Sequence, residues 1–218
     1  MQIVLKNGDG IQLAEGATAQ DAAQAISEGL ARAAVAAKVN GVLVDLSHVL
    51  REGDSVEIVT LRDKEGLEVY RHTCAHVLAQ ALKTVFPTCK LAIGPVIDNG
   101  YYYDVDFKTP ITMDDFEKIE AEMRKIIKSN LPIRRYSLPR EEAISLMSQY
   151  HEPYKVELIQ DLPEGEEISF YQQGAFTDLC RGPHLPSTGK IKAFKLVSIA
   201  GAYWRGDEKK KMLTRIYG

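Results

Sequence analysis

The chain is poor in cysteine and tryptophan and has no long apolar segment. Its 218 residues include three cysteines, Cys74, Cys89 and Cys180, and a single tryptophan. So few cysteines, in odd number, exclude a disulfide framework and indicate free thiols in a reducing compartment. No apolar run approaches the roughly 20 residues of a membrane span, and the N-terminus lacks the pattern of a signal peptide. We therefore expect a soluble, cytoplasmic protein with no membrane contact.

The chain also has no excess of positive charge. Its formal net charge is -3, which excludes a globally basic nucleic-acid binder and leaves only local patches for contact with RNA. Taken singly, such patches are more typical of a solvated face than of a contact. The candidate patches are Arg134 and Arg135 with Arg140, and Lys209, Lys210 and Lys211 beside Trp204 and Arg205.

What the chain does contain is typical of a globular protein with one ordinary and one small domain: 45% hydrophobic and 26% charged residues. Residues 1–61 predict a β-grasp of ββαββ type. Thr18 is the predicted cap of its helix, Ala19–Ala33, and Asn40-Gly41 predicts a tight hairpin. His48, its one candidate catalytic group, is interpreted as structural or exposed. The predicted strands are Gln2–Lys6, Ile11–Ala14, Val35–Val39, Val42–Val44 and Ser55–Leu61.

The charged segment Arg62–Gly66 marks the predicted boundary, so the second domain comprises residues 62–218. Its first helix is predicted at Leu67–Phe86, stopped by Pro87. Helices and strands then interleave without the repeat of a parallel sheet, which favours an α+β fold with a mainly antiparallel sheet. Further helices are predicted at Met113–Lys128, Pro139–Tyr150 and Tyr154–Leu162, and strands at Lys90–Ile97, Tyr101–Phe107, Ile133–Leu138, Glu167–Tyr171, Ala193–Ser198 and Met212–Tyr217.

Four side chains of the second domain form the strongest candidate site. His72 and His76 are four residues apart, so on a helix both rings leave one face, away from the apolar stripe. Cys180 and His184 flank a Gly-Pro pair, which predicts a turn. Three chemistries fit: histidine-activated water, a closed and therefore structural zinc site, or Cys180 as a nucleophile beside Arg181.

Five motifs carry a resemblance that covers the whole chain. They are His72-Thr-Cys-Ala-His76, Gly94-Pro-Val-Ile-Asp-Asn-Gly-Tyr-Tyr-Tyr-Asp104, Pro153-Tyr-Lys155, Asp178-Leu-Cys-Arg-Gly-Pro-His184 and Ala202-Tyr-Trp-Arg-Gly-Asp207. The chain resembles the N-terminal region of a bacterial-type threonyl-tRNA synthetase, with a ubiquitin-like TGS domain at residues 1–61 and an editing domain at 62–218. The editing domain is also similar to those of alanyl-tRNA synthetases.

The resemblance implies proofreading hydrolysis of mischarged Ser-tRNA(Thr). Serine lacks one methyl of threonine, a difference worth only about 1–3 kcal/mol of discrimination, so a second, hydrolytic site is required. The implied partners are the acceptor end of tRNA(Thr) carrying serine and the rest of the synthetase. The class II core and anticodon-binding domain would follow Gly218, so we expect a truncated fragment whose own activity is deacylation of aminoacyl-tRNA.

Within this interpretation, His72 and His76 orient or activate the water and the terminal ribose hydroxyls, while Cys180 and His184 complete the polar floor of the site. The resemblance favours metal-free, water-mediated and partly substrate-assisted cleavage, so no cofactor is required. Zinc at all four residues is the alternative, which the ligand types alone would favour.

Five further residues are assigned to substrate binding. Tyr103, with Gly94 and Pro95, is the candidate wall around the acyl side chain, although Tyr103 fits a packing role in a hairpin equally well. Asp178 is assigned to the substrate ammonium group and Lys155 to the oxyanion or a phosphate. A solvated surface position is the alternative for Lys155.

Two other functions stay open. The chain could be a non-catalytic module that binds RNA or a regulatory partner and holds a structural zinc, which predicts bound metal and no esterase activity. It could also be a free-standing trans-editing deacylase that is complete as it stands.

Overall fold

Two units make up the structure, a computed structural model that describes all residues from Met1 to Gly218. The first unit comprises Met1–Thr73 together with Gly182–Pro186, and the second comprises Cys74–Arg181 together with Ser187–Gly218. The division falls within one helix, so the predicted domain boundary after residue 61 stays a prediction. No helix combines the length and apolarity that crossing a membrane would require.

The first unit contains one five-stranded sheet against two short helices. The sheet order is β2-β1-β5-β3-β4, with β1 and β5 parallel and the other neighbours antiparallel. Apolar residues of the sheet and of the first helix form its core, among them Ile3, Ala22 and Val56. The elements are β1 (Gln2–Leu5), β2 (Gly10–Gln12), α1 (Ala19–Ile26), α2 (Glu28–Ala33), β3 (Ala34–Val39), β4 (Val42–Val44) and β5 (Ser55–Thr60).

Local signals in this unit are confirmed except at one position. Thr18 caps α1 as predicted and forms a capping box with Asp21, and Asn40 and Gly41 adopt positive φ angles in the turn between β3 and β4. The single predicted helix Ala19–Ala33 is wrong, because the chain breaks at Ser27, which is extended with φ -168° and ψ 152°. The Ser27 hydroxyl then accepts the N–H of Leu30 at 3.1 Å and caps a second helix.

The helix α3 (Lys64–Val85) begins three residues before its predicted start and includes the last three residues of the charged segment predicted as the domain boundary. Within α3, position 66 requires glycine for a steric reason. A Cβ there would lie 1.9 Å from the carbonyl oxygen of Thr60. Glycine at 66 therefore allows the first turn of α3 to pack against the end of β5.

The second unit has two antiparallel sheets. One has the order β11-β10-β9, and the other has the order β12-β13-β8-β6 with β7 also paired to β8. The predicted α+β class with mainly antiparallel sheets is confirmed. The elements are β6 (Lys90–Leu91), β7 (Val96–Ile97), β8 (Gly100–Asp106), α4 (Phe116–Lys128), β9 (Ile133–Ser137), α5 (Arg140–Gln149), α6 (Pro153–Gln160), β10 (Ser169–Gln173), β11 (Phe176–Leu179), β12 (Ser198–Tyr203) and β13 (Met212–Tyr217).

Strand predictions in this unit fail where tertiary contacts outweigh local pattern. Lys90–Ile97 forms two short strands rather than one. Ala193–Ser198 is irregular except for its last residue, since the N–H of Leu196 donates to the buried Glu120 carboxylate at 3.0 Å instead of to a strand. The small residues of β12 pair with β13 instead.

The Gly66 contact predicts an unusual response to alanine. Alanine in place of a helical glycine ordinarily raises the free energy of unfolding by about 0.5–1 kcal/mol. Gly29→Ala in α2 should have this effect, because a Cβ at Gly29 would meet only the Ser27 hydroxyl oxygen, at 4.0 Å. Gly66→Ala should instead lower the free energy of unfolding by about 1–3 kcal/mol, because backbone must move. Urea unfolding followed by circular dichroism measures both; stabilisation of equal size in the two variants would contradict the close approach.

Candidate hydrolytic site

Helix α3 carries both histidines of the first motif, but their burial differs from the prediction. His76 is buried, with 3% of its surface exposed, while His72 is half-buried. The prediction that both avoid the packing face is wrong for His76, because α3 is buried without interruption from Thr73 to Ala79. The His76 ring packs edge-on against Phe176 with centroids 5.1 Å apart.

In the first unit, His184 lies against His72. Their rings are stacked with centroids 4.2 Å apart and planes inclined by 28°. The Nδ1 atom of His72 lies 3.3 Å from the carbonyl oxygen of Pro183, so His72 also contacts the backbone of the segment that carries His184. In the sequence these two histidines stand in separate motifs, and the structure shows that they are in contact.

A threonine between the motif residues organises this pair. The Thr73 hydroxyl oxygen lies 2.9 Å from the carbonyl oxygen of Val69 and 3.1 Å from Nδ1 of His184, and it accepts the N–H of Leu185 at 3.0 Å. A hydroxyl has one hydrogen and two lone pairs. All three contacts are satisfied when Thr73 donates to Val69 and accepts from Leu185 and from a protonated Nδ1 of His184.

That pattern assigns the tautomer of the neutral His184 ring. With its hydrogen on Nδ1, the lone pair is on Nε2, the form required of a general base or of a metal ligand. Thr73 is the residue that sequence reasoning missed, although it stands inside the His-Thr-Cys-Ala-His motif.

In the second unit, Tyr103, Lys155 and Asp178 form a buried network. The Lys155 ammonium contacts one carboxylate oxygen of Asp178 at 2.9 Å and the Tyr103 hydroxyl oxygen at 3.0 Å. The Tyr103 hydroxyl donates to the other oxygen of Asp178 at 2.6 Å. Burial, and then the nearby Asp178 charge, raise the pKa of Tyr103 well above its ordinary value, so it stays a donor. Lys155 is therefore a buried residue, not a solvated one.

Gly94 and Pro95 contact the strand that carries Tyr103. A Cβ at Gly94 would lie 2.3 Å from the Tyr103 ring, and the Pro95 carbonyl accepts the N–H of Tyr102 at 3.2 Å. Gly94 thus leaves the space that the Tyr103 ring occupies. Asp178 lies in strand β11, so the motif from Asp178 to His184 begins in a sheet, before its Gly-Pro pair.

A cavity of about 280 Å³ opens beside Asp178. Asp178 is the one sequence-predicted site residue in its lining, and the cavity is also lined by Phe176, whose ring contacts His76. Lys83 and Glu152 form an ion pair of 2.7 Å in its wall. Burial raises the pKa of Glu152, which also accepts the N–H of Leu91. Sequence reasoning missed Lys83 and Glu152, although Glu152 adjoins the Pro153-Tyr-Lys155 motif.

Comparison with known proteins shows what this chain is similar to. Residues 1–60 match the TGS domain, and residues 168–217 match the threonyl and alanyl tRNA synthetase second additional domain. Over all 218 residues, the chain is 57% identical to the threonine–tRNA ligase of Acetivibrio thermocellus, 58% to that of Clostridium tetani and 57% to that of Clostridioides difficile. The chain matches the N-terminal part of bacterial threonine–tRNA ligases. It spans about a third of these relatives, 34% of each.

The second additional domain is an editing-associated domain of threonyl-tRNA synthetases. In this chain it includes Asp178, Cys180 and His184, so three predicted site residues lie inside the matched range. The carbonyl of Cys180 accepts the hydroxyl of Ser169 at 2.6 Å.

His72, Cys180 and His184 offer two imidazoles and a thiol, ligand types that suit zinc, whereas His76 does not belong to this set.

The predicted basic patches are largely neutralised by acidic partners. Arg135 pairs with Glu167 at 2.7 Å, and Lys211 with Asp106 at 2.7 Å. Arg140 instead donates to backbone carbonyls after α6, including that of Leu162 at 2.7 Å. These contacts favour a structural role for most of the two patches.

The three cysteines should differ sharply in reactivity. Burial raises the pKa of the Cys74 and Cys89 thiols to about 12, whereas Cys180 is only half-buried. We expect an aromatic disulfide reagent at pH 8 to modify one thiol per native chain rapidly, because only a reachable thiolate attacks. Cys180→Ala should abolish this phase and Cys89→Ala should keep it. Rapid modification of two thiols would contradict the burial.

The network of Tyr103, Lys155 and Asp178 predicts that removing the Lys155 ammonium group greatly lowers the free energy of unfolding. Lys155→Met leaves the Asp178 carboxylate buried without its partner and should lower the free energy of unfolding by about 3–5 kcal/mol. Adding Asp178→Asn should recover part of that loss. Lys125, in an exposed pair with Glu122, is the matched control, and Lys125→Met should change stability by less than about 1 kcal/mol. Equal effects of the two lysine variants in urea unfolding would contradict a buried ion pair.

Proposed function

We propose that this chain hydrolyses the ester of Ser-tRNA(Thr) and so forms the proofreading part of a threonine–tRNA ligase. The observation that carries the proposal is the contact between Thr73 and Nδ1 of His184, which puts the lone pair of a neutral ring on Nε2, in a residue within an editing-associated domain. The proposed partners are the acceptor end of tRNA(Thr) and the rest of the synthetase, and the proposed location is the cytoplasm.

The His72–His184 pair suits proton transfer in ester hydrolysis. A neutral imidazole with hydrogen on Nδ1 accepts a proton from water through Nε2, and its neighbour at stacking distance can orient the same water or a ribose hydroxyl. His76, on the same helix, and Cys180 are the further residues that we propose to shape the site.

The cavity beside Asp178 is the proposed acyl pocket. Both oxygens of Asp178 already accept one hydrogen bond, but a carboxylate offers about four lone-pair positions and can accept the substrate ammonium as well. Lys155 has three N–H donors, of which two are directed at Asp178 and Tyr103. Because Lys155 is buried and does not line the cavity, its role in this proposal is to orient Asp178. Tyr103, with Gly94 behind its ring and Pro95 beside it, supports the same wall.

Zinc is the competing chemistry. The set of His72, Cys180 and His184 supports it by ligand type, and a histidine bound through Nε2 commonly donates its Nδ1 hydrogen to a fixed acceptor, as Thr73 offers here. A metal-binding module without esterase activity is therefore the second candidate function.

The deciding experiment compares Ser-tRNA(Thr) and Thr-tRNA(Thr) as substrates for the metal-analysed chain. We expect at least about tenfold faster cleavage of the seryl ester, no effect of a chelator, and a loss of at least about 100-fold in His184→Ala and His72→Ala, because general base catalysis contributes about that much. His48→Ala is the matched control: this histidine is exposed in the first unit, and its loss should leave the rate unchanged.

Two results would contradict the proposal. Stoichiometric zinc with no cleavage by the wild-type chain would favour the metal-binding module. Equal cleavage of the two esters would show hydrolysis without proofreading.

A further inference from the structure

A carboxylate of the TGS domain contacts the backbone of His184. Asp45 follows β4, and its Oδ1 atom accepts the N–H of His184 at 2.9 Å. The two residues are 139 positions apart in the chain, and both belong to the first unit. A domain without a catalytic group of its own thus reaches a residue of the candidate site.

The turn that carries Asp45 is fixed to the core of the TGS domain. The carbonyl of Asp45 accepts the N–H of His48 at 3.0 Å, and the carbonyl of Leu46 accepts the N–H of Gln20 at 2.9 Å. Leu46, within the turn, and Leu50, just after it, are both buried. Asp45 is therefore presented from a constrained backbone, as a positioning group must be.

Helix α3 also holds the segment 182–186. Helix α3 supplies the Thr73 hydroxyl to the N–H of Leu185 and the His72 ring to the carbonyl of Pro183. Asp45 supplies a charged acceptor, and hydrogen bonds to a carboxylate are about twice as strong as neutral ones. Since His184 is buried, its N–H without an acceptor would drive the segment to move.

We propose that Asp45 is a positioning residue for His184, so that the TGS domain completes the hydrolytic site. The inference rests on the proposed function, because positioning has a kinetic meaning only where His184 takes part in the reaction. Misplacement of a reacting group by about 1 Å costs up to about 100-fold in rate, so one hydrogen bond 139 residues away in sequence can control the rate.

Three variants test the kinetic part in the full chain. Asp45→Ala removes the acceptor and should lower kcat for Ser-tRNA(Thr) hydrolysis at least about tenfold with KM changed less than about twofold. Asp45→Asn keeps an amide oxygen as acceptor and should stay within about threefold of wild type. Asp54→Ala is the matched control, because Asp54 accepts the N–H of Arg51 at 2.8 Å in the same domain without contacting His184; its rate should equal that of wild type.

Hydrogen exchange of the His184 amide, read by NMR, tests the contact without any substrate. Asp45→Ala should speed that exchange at least about tenfold, and Asp54→Ala should not. A wild-type chain that cleaves no Ser-tRNA(Thr) would defeat the proposed function, while the exchange data would still report on the contact. Unchanged exchange in Asp45→Ala, or faster exchange with kcat unchanged, would overturn the positioning role.

Discussion

The candidate site depends on the hydrogen bonds of one threonine hydroxyl. Thr73 contacts the carbonyl of Val69, the N–H of Leu185 and Nδ1 of His184. Because a hydroxyl has a single hydrogen, only one arrangement satisfies all three. The same atom therefore joins α3 to the segment 182–186 and fixes the tautomer of His184. The stacking of His72 on His184 follows, since both rings are held by backbone that this contact ties together.

The network of Tyr103, Lys155 and Asp178 is better explained by pre-organisation than by stability. A buried ion pair is often no more stable than apolar residues of the same volume, because desolvation offsets the attraction. Here the pair lies beside a cavity that Asp178 lines. Polar groups fixed in advance at such a cavity need no reorganisation when charge develops on a substrate. In the proposed function, this is what the buried Lys155 contributes.

The sequence predicted the elements that local signals specify. The Thr18 capping box and the Asn40-Gly41 turn are decided within a few residues and were found in place. The strand β11 was missed although its partner, β10, directly precedes it in the chain. The burial of His76 was missed because it depends on residues distant in the chain, such as Phe176. The motifs similarly named His72 and His184 as site residues, but neither their stacking nor the Thr73 contact could follow from spacing alone.

The tautomer of His184 does not by itself separate hydrolysis from metal binding. A hydrogen on Nδ1 leaves Nε2 as acceptor for a water proton and equally as ligand for zinc. What differs is the demand on Cys180, because zinc requires a thiolate and releases its proton on binding, whereas water activation leaves the thiol unchanged. Positioning of the His184 segment by Asp45 would serve either chemistry, since both need Nε2 held in one direction. The proposed positioning of His184 by the TGS domain therefore does not distinguish the two chemistries.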